Sequence, residues 1–368
     1  MNTTNIYIKN IKIYGDGDYP CLGASFLYSK FLYYFKINNY CIVESPDDAD
    51  YIFLNTCGVS EELIPFYTSE FQKYKNIWKE SVTLWVFWCL AGVSKNITDL
   101  VDIIIPLKKD YLLDDFFPHQ ISMKDISQLE VSKLLSNDIL KERKIFYIQT
   151  NRWCVHNCSY CWIKKAIWNV TSKALDEIIY EVQQALESGF DTIHFITDDI
   201  GSYGYDIGSN FGELYNKVCE VSPDFSIEIS YCEPSEFMKY FDDIKGNITR
   251  ITSMVYPIQS CNDRILALMN RKYTVKDFFE SVKSIRAVHP NIYLINNIIY
   301  WYPTESESEF RENLKWAFFF EENAFCLYQK ITWKVPFQSS DFLPPKILYK
   351  RKLTVQTLGK KYGRKFCF

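Results

Sequence analysis

The stretch NRWCVHNCSYCWIKK, residues Asn151–Lys165, places three cysteines within eight positions near the middle of a 368-residue chain. Cys154, Cys158 and Cys161 directly follow the strand-like segment IFYIQT. Three thiolates are one fewer than a closed tetrahedral zinc site needs, whereas a cubane iron–sulfur cluster held by three thiolates keeps one iron open. The spacing therefore favours such a cluster, with a zinc site completed by His156 or a distant cysteine as the alternative.

Strand-like and helical segments alternate on both sides of this cysteine loop. Before it, IYIKNIKIY, YIFLNT, TLWVFW and DIIIPL alternate with helical runs, which predicts a doubly wound parallel sheet over residues 1–118. After it, IFYIQT, DTIHFIT, FSIEISY, ITRITSMVY and NIYLINNIIYWY are separated by amphipathic helices, which predicts a complete or partial β/α barrel over 144–335. Residues 119–143 are expected to be a polar linker, and 336–368 a short basic helical tail.

Composition narrows the classes of partner. A formal charge of −4 and a pI near 5.7 show no excess of lysine and arginine, so nucleic acid is not the expected partner. The longest apolar run, Thr83–Val93, is about half of a bilayer span, and the N-terminus has no signal-peptide core, so we expect a cytoplasmic protein without membrane contact. In that compartment, clustered thiols among the twelve cysteines favour metal ligation over disulfides.

A second set of three cysteines follows strands of the first predicted sheet. Cys57 ends YIFLNTC, Cys89 ends TLWVFWC, and Cys21 lies in the loop after the first strand. Because the carboxyl ends of parallel strands lie along one edge, these thiols can converge on one point. The sequence thus predicts a second three-cysteine site, and the alternative is three buried, unreactive thiols.

The cysteine loop, including the aromatic Tyr160 before its last cysteine, resembles that of the radical S-adenosylmethionine (SAM) enzymes. With both cysteine sets, the chain resembles the methylthiotransferase family of that superfamily. The resemblance rests on these segments: PCLGASFLYSK, DADYIFLNTCGVSEE, VFWCLAG, ITDDIGSYGYDIG, YPIQSCNDRILALMNRKYT and YPTESESEF. It implies a flavodoxin-like sheet followed by a partial (β/α)6 TIM-type radical SAM barrel.

The resemblance also implies cofactors and the residues that hold them. Cys154, Cys158 and Cys161 would bind a radical-generating [4Fe–4S] cluster, and the cysteines at 21, 57 and 89 an auxiliary [4Fe–4S] cluster that presents sulfur. S-adenosyl-L-methionine would bind the open iron and be cleaved to a 5'-deoxyadenosyl radical. Five residues are expected near that cofactor at the carboxyl edge of the barrel: Tyr160, Asp198, Asp199, Glu233 and Gln259.

Departures from the family pattern bear on the substrate. The basic run expected after the third cysteine is IWNVTSK, Cys261 replaces a glycine after Gln259, and Trp301 and Thr304 replace both glycines of the turn before Glu305. The family's C-terminal RNA-binding barrel is not recognisable. With the acidic balance, these departures predict a peptide or protein substrate, docked among aromatics near Trp162, Trp168 and Trp301.

The expected activity is therefore sulfur insertion, as methylthio, into an unactivated C–H bond of a side chain, by a transferase of EC 2.8.4 type. An electron donor such as flavodoxin or ferredoxin is the expected protein partner. Two alternatives stay open. One is the same reaction on tRNA, and the other is a different radical modification of a peptide, such as a carbon–sulfur cross-link.

Overall fold

The chain forms two compact units in a computed structural model. The first unit comprises residues 1–143 and 162–168, and the second comprises 144–161 and 169–368. The structure describes residues 4–11, 22–56, 63–77, 82–88, 99–106, 109–139, 144–161, 164, 169–328, 337–362 and 365–367.

The first unit contains a five-stranded parallel sheet with strand order β2-β1-β3-β4-β5. This order is that of flavodoxin-like sheets, and it confirms the predicted doubly wound class. The strands are β1 Asn5–Asn10, β2 Cys41–Ile42, β3 Tyr51–Thr56, β4 Thr83–Trp88 and β5 Ile103–Ile105. The helices are α1 Leu22–Ile37, α2 Leu63–Ile77, α3 Leu113–Phe116 and α4 Gln128–Ile139.

Each face of this sheet is covered by apolar side chains. Phe53 and Trp85 pack with Phe31 of α1 on one face, while Ile52 on the opposite face packs with Tyr67 of α2. Alternate residues of one strand thus enter two separate cores, because successive side chains of a strand point to opposite faces. This arrangement explains why the strands read as continuous apolar runs.

Residues 119–143, expected to be a linker, group with the first unit and contain α4. Val131 is buried, and the Asn38 side chain accepts hydrogen bonds from the backbone amides of Gln120 (2.7 Å) and Ile121 (2.9 Å). Part of this polar segment is therefore packed, and its backbone amides are satisfied by the side chain that directly follows α1.

The second unit is built on a seven-stranded parallel sheet with order β14-β13-β12-β11-β10-β9-β6. Its strands are β6 Ile145–Gln149, β9 Thr192–Ile196, β10 Ser226–Ile229, β11 Ile251–Val255, β12 Tyr293–Tyr300, β13 Glu322–Leu327 and β14 Lys365–Cys367. The short strands β7 Asn151–Arg152 and β8 Thr171–Ser172 form a separate antiparallel ribbon. The helices are α5 Leu175–Glu187, α6 Phe211–Val221, α7 Pro234–Ile244, α8 Asp263–Leu268, α9 Val275–Val288, α10 Glu307–Ala317 and α11 Pro345–Tyr362.

This sheet is an open barrel, which confirms the predicted partial barrel. Among the described residues, β6 and β14 each pair on one side only, so they are its edges. The segment expected to be a tail contributes α11 and the edge strand β14. Within the described part of the chain, no helix is long and apolar enough to cross a membrane.

A buried ion pair joins α11 to the turn after β12. Arg351 donates to the Glu305 carboxylate at 2.5 Å, and both side chains are essentially inaccessible to solvent. Trp301 and Thr304 in this turn have φ angles of +65° and +66°. These are the positions where the family resemblance has glycine, and a left-handed non-glycine residue costs roughly 1–2 kcal/mol. The turn is therefore held by its contacts rather than by backbone preference.

Replacing Arg351→Met should lower the free energy of unfolding by about 3–5 kcal/mol near pH ~8, because it leaves the Glu305 carboxylate buried without a cation. Burial raises the pKa of Glu305 from its ordinary 4.5 to about 7, against the lowering effect of Arg351. Between these two pKa values the Glu305 carboxyl is protonated in the folded state and ionised in the unfolded state. Its contribution to stability therefore falls as the pH rises through this range. The cost of the substitution should therefore be smaller near pH ~5.5 in urea unfolding.

The matched control is Lys352→Met, one residue along the helix and exposed. It should change the unfolding free energy by no more than about 0.5 kcal/mol at either pH. Equal urea midpoints for the two variants at the higher pH would show that the pair does not fasten α11.

Candidate radical SAM cluster site

The three cysteines of the central motif lie in a loop at the carboxyl edge of the barrel. The antiparallel pair Asn151–Ser172 and Arg152–Thr171 closes the base of this loop just after β6. Cys158 is buried, whereas Cys154 and Cys161 are partly accessible, and the Cys161 amide donates to the Cys158 carbonyl at 3.3 Å. Parallel barrels place their chemistry at this edge, so the sequence located the loop correctly.

The segment that follows α8 holds the cysteine loop from one side. The Ser159 hydroxyl donates to the Leu268 carbonyl at 2.8 Å, and the Ser159 amide donates to the Met269 carbonyl at 3.1 Å. The Asn270 side-chain amide donates to the Asn157 carbonyl at 2.9 Å. Backbone groups around the middle cysteine are thereby satisfied by a segment more than one hundred residues away.

The loop after β9 holds the cysteine loop from another side. The Asp198 carboxylate accepts from the Trp153 amide at 2.9 Å, and the Ser202 hydroxyl accepts from the Val155 amide at 3.0 Å. Trp153 has a φ of +81°, an unfavourable value for a bulky side chain. The two donor amides flank Cys154 in the sequence, so these hydrogen bonds fix the backbone on both sides of that thiol.

The buried carboxylate of Asp199 accepts three hydrogen bonds beneath this loop. Its carboxylate accepts from the Gly201 amide (3.1 Å), the Ser202 hydroxyl (2.5 Å) and the Glu233 amide (2.9 Å). Burial raises the pKa of Asp199 to about 6, although hydrogen bonds and His156 favour its charged form. The residue therefore joins the loops after β9 and β10, and it also caps the short helical turn that begins at Ile200.

Glu233 is the N-cap residue of α7 and forms one half of a buried ion pair with Arg271. Its Oε2 accepts from the Ser235 and Glu236 amides at 2.7 and 3.2 Å, while Oε1 accepts from Arg271 at 2.9 Å. Burial alone would raise the pKa of Glu233, but Arg271 and His156 hold it below its ordinary value. The Arg271 guanidinium also lies 5.6 Å from the centre of the Tyr160 ring, so it connects Glu233 to the cysteine loop.

His156 lies among three carboxylates below the loop. Its Nε2 is 3.5 Å from Glu233, 3.8 Å from Glu236 and 3.9 Å from Asp199, and among the described residues this nitrogen has no hydrogen-bond partner. Gly201 makes this crowding possible, because a Cβ there would lie 2.3 Å from the Cβ of Glu236. His156 therefore faces the acidic groups and not the thiols, which speaks against the zinc alternative that used it as fourth ligand.

Gln259 follows β11 and bridges to β12. Its amide donates to the Asn297 carbonyl at 2.9 Å, and its carbonyl accepts from the Ile299 amide at 2.8 Å, with φ at +70°. The residue is nearly buried. Asp199, Glu233 and Gln259 thus lie on the ends of three successive strands, as expected, while Asp198 is exposed. Their contact with SAM, and that of Tyr160, stays a prediction.

The donor set around the cysteine loop fits an iron–sulfur cluster. Burial raises the pKa of the Cys154 thiol, and the neighbouring thiols and Asp199 raise it further, so its thiolate needs a bound cation. Among the described residues, no three His, Cys, Asp or Glu side chains could hold a single metal ion. A cubane cluster does not require such a site, because its three thiolates bind three different irons and need not converge on one atom.

Several predicted site residues fall outside the part of the chain that the structure describes. They are Cys21, Cys57 and Cys89 of the second cysteine site, together with Trp162 and Trp168. Trp301 is described, and its indole donates to the Leu343 carbonyl at 3.1 Å. Cys261 is buried, and its amide donates to the Asn313 side chain at 2.6 Å.

Sequence reasoning assigned no role to Arg271, Ser202, Asn270 or Glu236. Arg271 and Asn270 belong to the MNRKYT segment and Ser202 to ITDDIGSYGYDIG, so the motifs signalled their importance. Their roles depend on contacts with Asn157, Val155 and Glu233, which no local pattern reveals.

A family model, the radical SAM superfamily, matches residues 148–317. A probable threonylcarbamoyladenosine tRNA methylthiotransferase from Pyrococcus horikoshii is 26% identical over 74% of this chain and 66% of its own length. The human threonylcarbamoyladenosine tRNA methylthiotransferase is 25% identical over 75% of this chain and 50% of its own. A tRNA-2-methylthio-N(6)-dimethylallyladenosine synthase from Haemophilus ducreyi is 24% identical over 74% and 61%. The chain thus spans about half to two thirds of these relatives.

Two solved structures share the fold at low sequence identity. The radical SAM methyltransferase TsrM from Kitasatospora setae, with cobalamin and a [4Fe–4S] cluster bound, has a TM-score of 0.58 and 9% identity, and covers 88% of this chain and 75% of its own. The cobalamin-dependent radical SAM enzyme OxsB has a TM-score of 0.59 and 10% identity, over 85% and 51%.

These relatives correct one expectation from the sequence. We expected a peptide or protein partner and no nucleic acid. This expectation is wrong, because the similar proteins are named for action on tRNA. The expectation rested on departures from the family pattern, on the RNA-binding barrel that was not recognisable, and on the net charge of −4. The net charge sums over the whole chain and is insensitive to where lysines cluster.

The resemblance to the radical SAM methylthiotransferases, which the sequence motifs indicated, is confirmed by these comparisons. A radical SAM domain is matched over residues 148–317, and the similarity to tRNA methylthiotransferases supports the radical SAM methylthiotransferase family.

Proposed function

We propose that this protein is a methylthiotransferase that inserts sulfur, as methylthio, into a C–H bond of an adenosine in tRNA. The observation that carries the proposal is the Cys154–Cys161 loop, seated at the carboxyl edge of the barrel above buried polar groups of neighbouring strands. The relatives named for methylthiolation of tRNA adenosines support the substrate class.

Members of the family use two [4Fe–4S] clusters and SAM. Cys154, Cys158 and Cys161 would hold the first cluster, and the cysteines at 21, 57 and 89 would hold the second. When bound, the first cluster supplies the electron that cleaves SAM, and the second supplies sulfur. The chain's own contribution is to position these groups and to keep water away from them.

Exclusion of water follows from the aromatic residues beside the cysteine loop. Tyr302 is buried and lies 5.0 Å from the Tyr328 ring, and Phe337 and Phe342 pack against the same cluster. Tyr160 of the cysteine loop packs there as well. A reactive carbon radical formed beside this apolar wall would meet few solvent molecules, which favours the intended reaction over side reactions.

Methylthio transfer to tRNA is tested by combining anaerobically reconstituted protein, SAM, reductant and sulfide with tRNA from a strain that lacks the gene. We expect a methylthio adenosine in the nucleoside digest by mass spectrometry. The matched variant is Cys21→Ala, Cys57→Ala, Cys89→Ala, which should still cleave SAM to 5'-deoxyadenosine but give no methylthio product. An unchanged digest with the intact protein, and an identical digest from the deletion strain and its parent, would contradict the proposal.

Metal content provides an independent check on the two sites. Reconstituted protein should contain about eight irons and eight sulfides, as two cubanes require. The variant Cys154→Ala, Cys158→Ala, Cys161→Ala should keep about half of each. A single cluster in the unsubstituted protein would remove the sulfur donor and, with it, sulfur insertion.

The anchoring of the cysteine loop by Asn270 predicts faster loss of iron from substituted protein. Asn270→Ala removes the hydrogen bond to the Asn157 carbonyl and leaves alanine at a φ of +59°, which should cost about 1–2 kcal/mol in total. Asn270→Gly removes the same bond without the backbone strain, so it should be less destabilised. Urea unfolding and the rate of iron release to a chelator measure both effects.

The two variants separate the hydrogen bond from the backbone conformation. If both release iron at the unsubstituted rate, the Asn270 contact does not hold the loop. If only the alanine variant is affected, the backbone conformation matters and the hydrogen bond does not.

A further inference from the structure

The outward face of α11 carries a stripe of exposed lysines. Its sequence, PKILYKRKLTVQTLGKKY, contains no acidic residue. Lys346, Lys350 and Lys360 are exposed and recur at helical spacing along one side, with the exposed Tyr349 and Leu353 between them. From Lys346 to Lys360 the helix rises about 21 Å. We call these five residues the lysine face.

Three lysines on other helices of the second unit lie close to acidic side chains. Lys217 lies 2.8 Å from Glu220, Lys245 lies 2.9 Å from Asp242, and Lys276 lies 3.7 Å from Glu280. Within the described ranges, by contrast, no carboxylate lies within ion-pair distance of the three lysines of the lysine face. Among the described residues, each lysine of the lysine face therefore lacks the carboxylate partner that Lys217, Lys245 and Lys276 have.

The opposite side of α11 is buried and fastened to the barrel. Arg351 pairs with Glu305 and also donates to the Ser306 carbonyl at 3.0 Å, and Val355 on the same side is fully buried. The lysine face is consequently presented on a rigid element. A solvated charge run on a loose tail would lack this fixed spacing.

The same contacts place α11 next to the mouth of the barrel. The chain enters α11 from Phe342 and Leu343, which contact the Trp301 ring and indole after β12. Phe342 belongs to the apolar cluster that also includes Tyr160 of the cysteine loop. A continuous set of packed side chains therefore links the site to the start of the helix.

A row of lysines without an ion-pair partner in the described part of the chain, together with an exposed tyrosine, suits a polyanion that carries unpaired bases. Lysine ammonium groups bind phosphates as point charges, and the release of condensed counterions favours such contacts. Tyr349 is 65% exposed, and an exposed aromatic ring can stack on an unpaired base. Because the proposed substrate of the neighbouring site is tRNA, we favour tRNA over other polyanions as the ligand of this surface.

We infer that the lysine face of α11 binds the phosphate backbone of tRNA and so directs the substrate to the barrel mouth. The inference rests on the proposed function, since it takes tRNA as the substrate. It adds a docking surface built from residues outside the cysteine loop and the barrel edge.

The test compares two triple variants that each remove three positive charges. Lys346→Gln, Lys350→Gln, Lys360→Gln alters the lysine face, and Lys217→Gln, Lys245→Gln, Lys276→Gln alters paired lysines on other helices. Binding of tRNA to reconstituted protein is measured over a range of salt concentrations, together with the KM for tRNA. Urea midpoints and iron content verify that both variants are folded.

We expect the lysine-face variant to bind tRNA about tenfold or more weakly and to reduce the slope of log affinity against log salt by about 2 to 3. The control should keep the affinity and slope of the unsubstituted protein. If the lysine-face variant also keeps them while the unsubstituted protein modifies tRNA, this inference is wrong and the proposed function stands. If the unsubstituted protein neither binds nor modifies tRNA, the proposed function fails first.

Discussion

The parallel order of the second sheet is the constraint on which the candidate site depends. Because its strands all run the same way, the segments after β6, β9, β10 and β11 leave the sheet at one edge. The cysteine loop, Asp199, Glu233 and Gln259 come from those four segments. A reversed strand would send its loop to the far end of the barrel and remove its side chain from the site.

Burial of charge beneath the cysteine loop is balanced by mutual contacts. Asp199, Glu233 and Arg271 are removed from water, which is unfavourable for each ion alone. Backbone amides at the starts of two helical turns and the Arg271 guanidinium compensate the carboxylates. The compensation also locks the loops after β9 and β10 together, so charge burial here gives the site its rigidity.

The distribution of charge, rather than its sum, bears on the partner. A chain with a net charge of −4 can still present a helix without acidic residues, because acidic side chains elsewhere pair with their own lysines. The whole-chain balance therefore pointed away from nucleic acid, while one face of α11 has the composition of a phosphate-binding surface. Net charge is a statement about solubility and non-specific binding, and it does not locate contacts.

The sequence by itself determined the parallel strands of both sheets and the position of the cysteine loop, because hydrophobic periodicity and cysteine spacing are local properties. It also identified the family through motifs in a fixed order. Only the tertiary structure decided that Asn270 and Ser202 hold the cysteine loop, that Arg271 pairs with Glu233, and that Arg351 fastens α11. Each of these contacts joins residues far apart in the chain, and such pairings depend on how the elements pack, which no local pattern encodes.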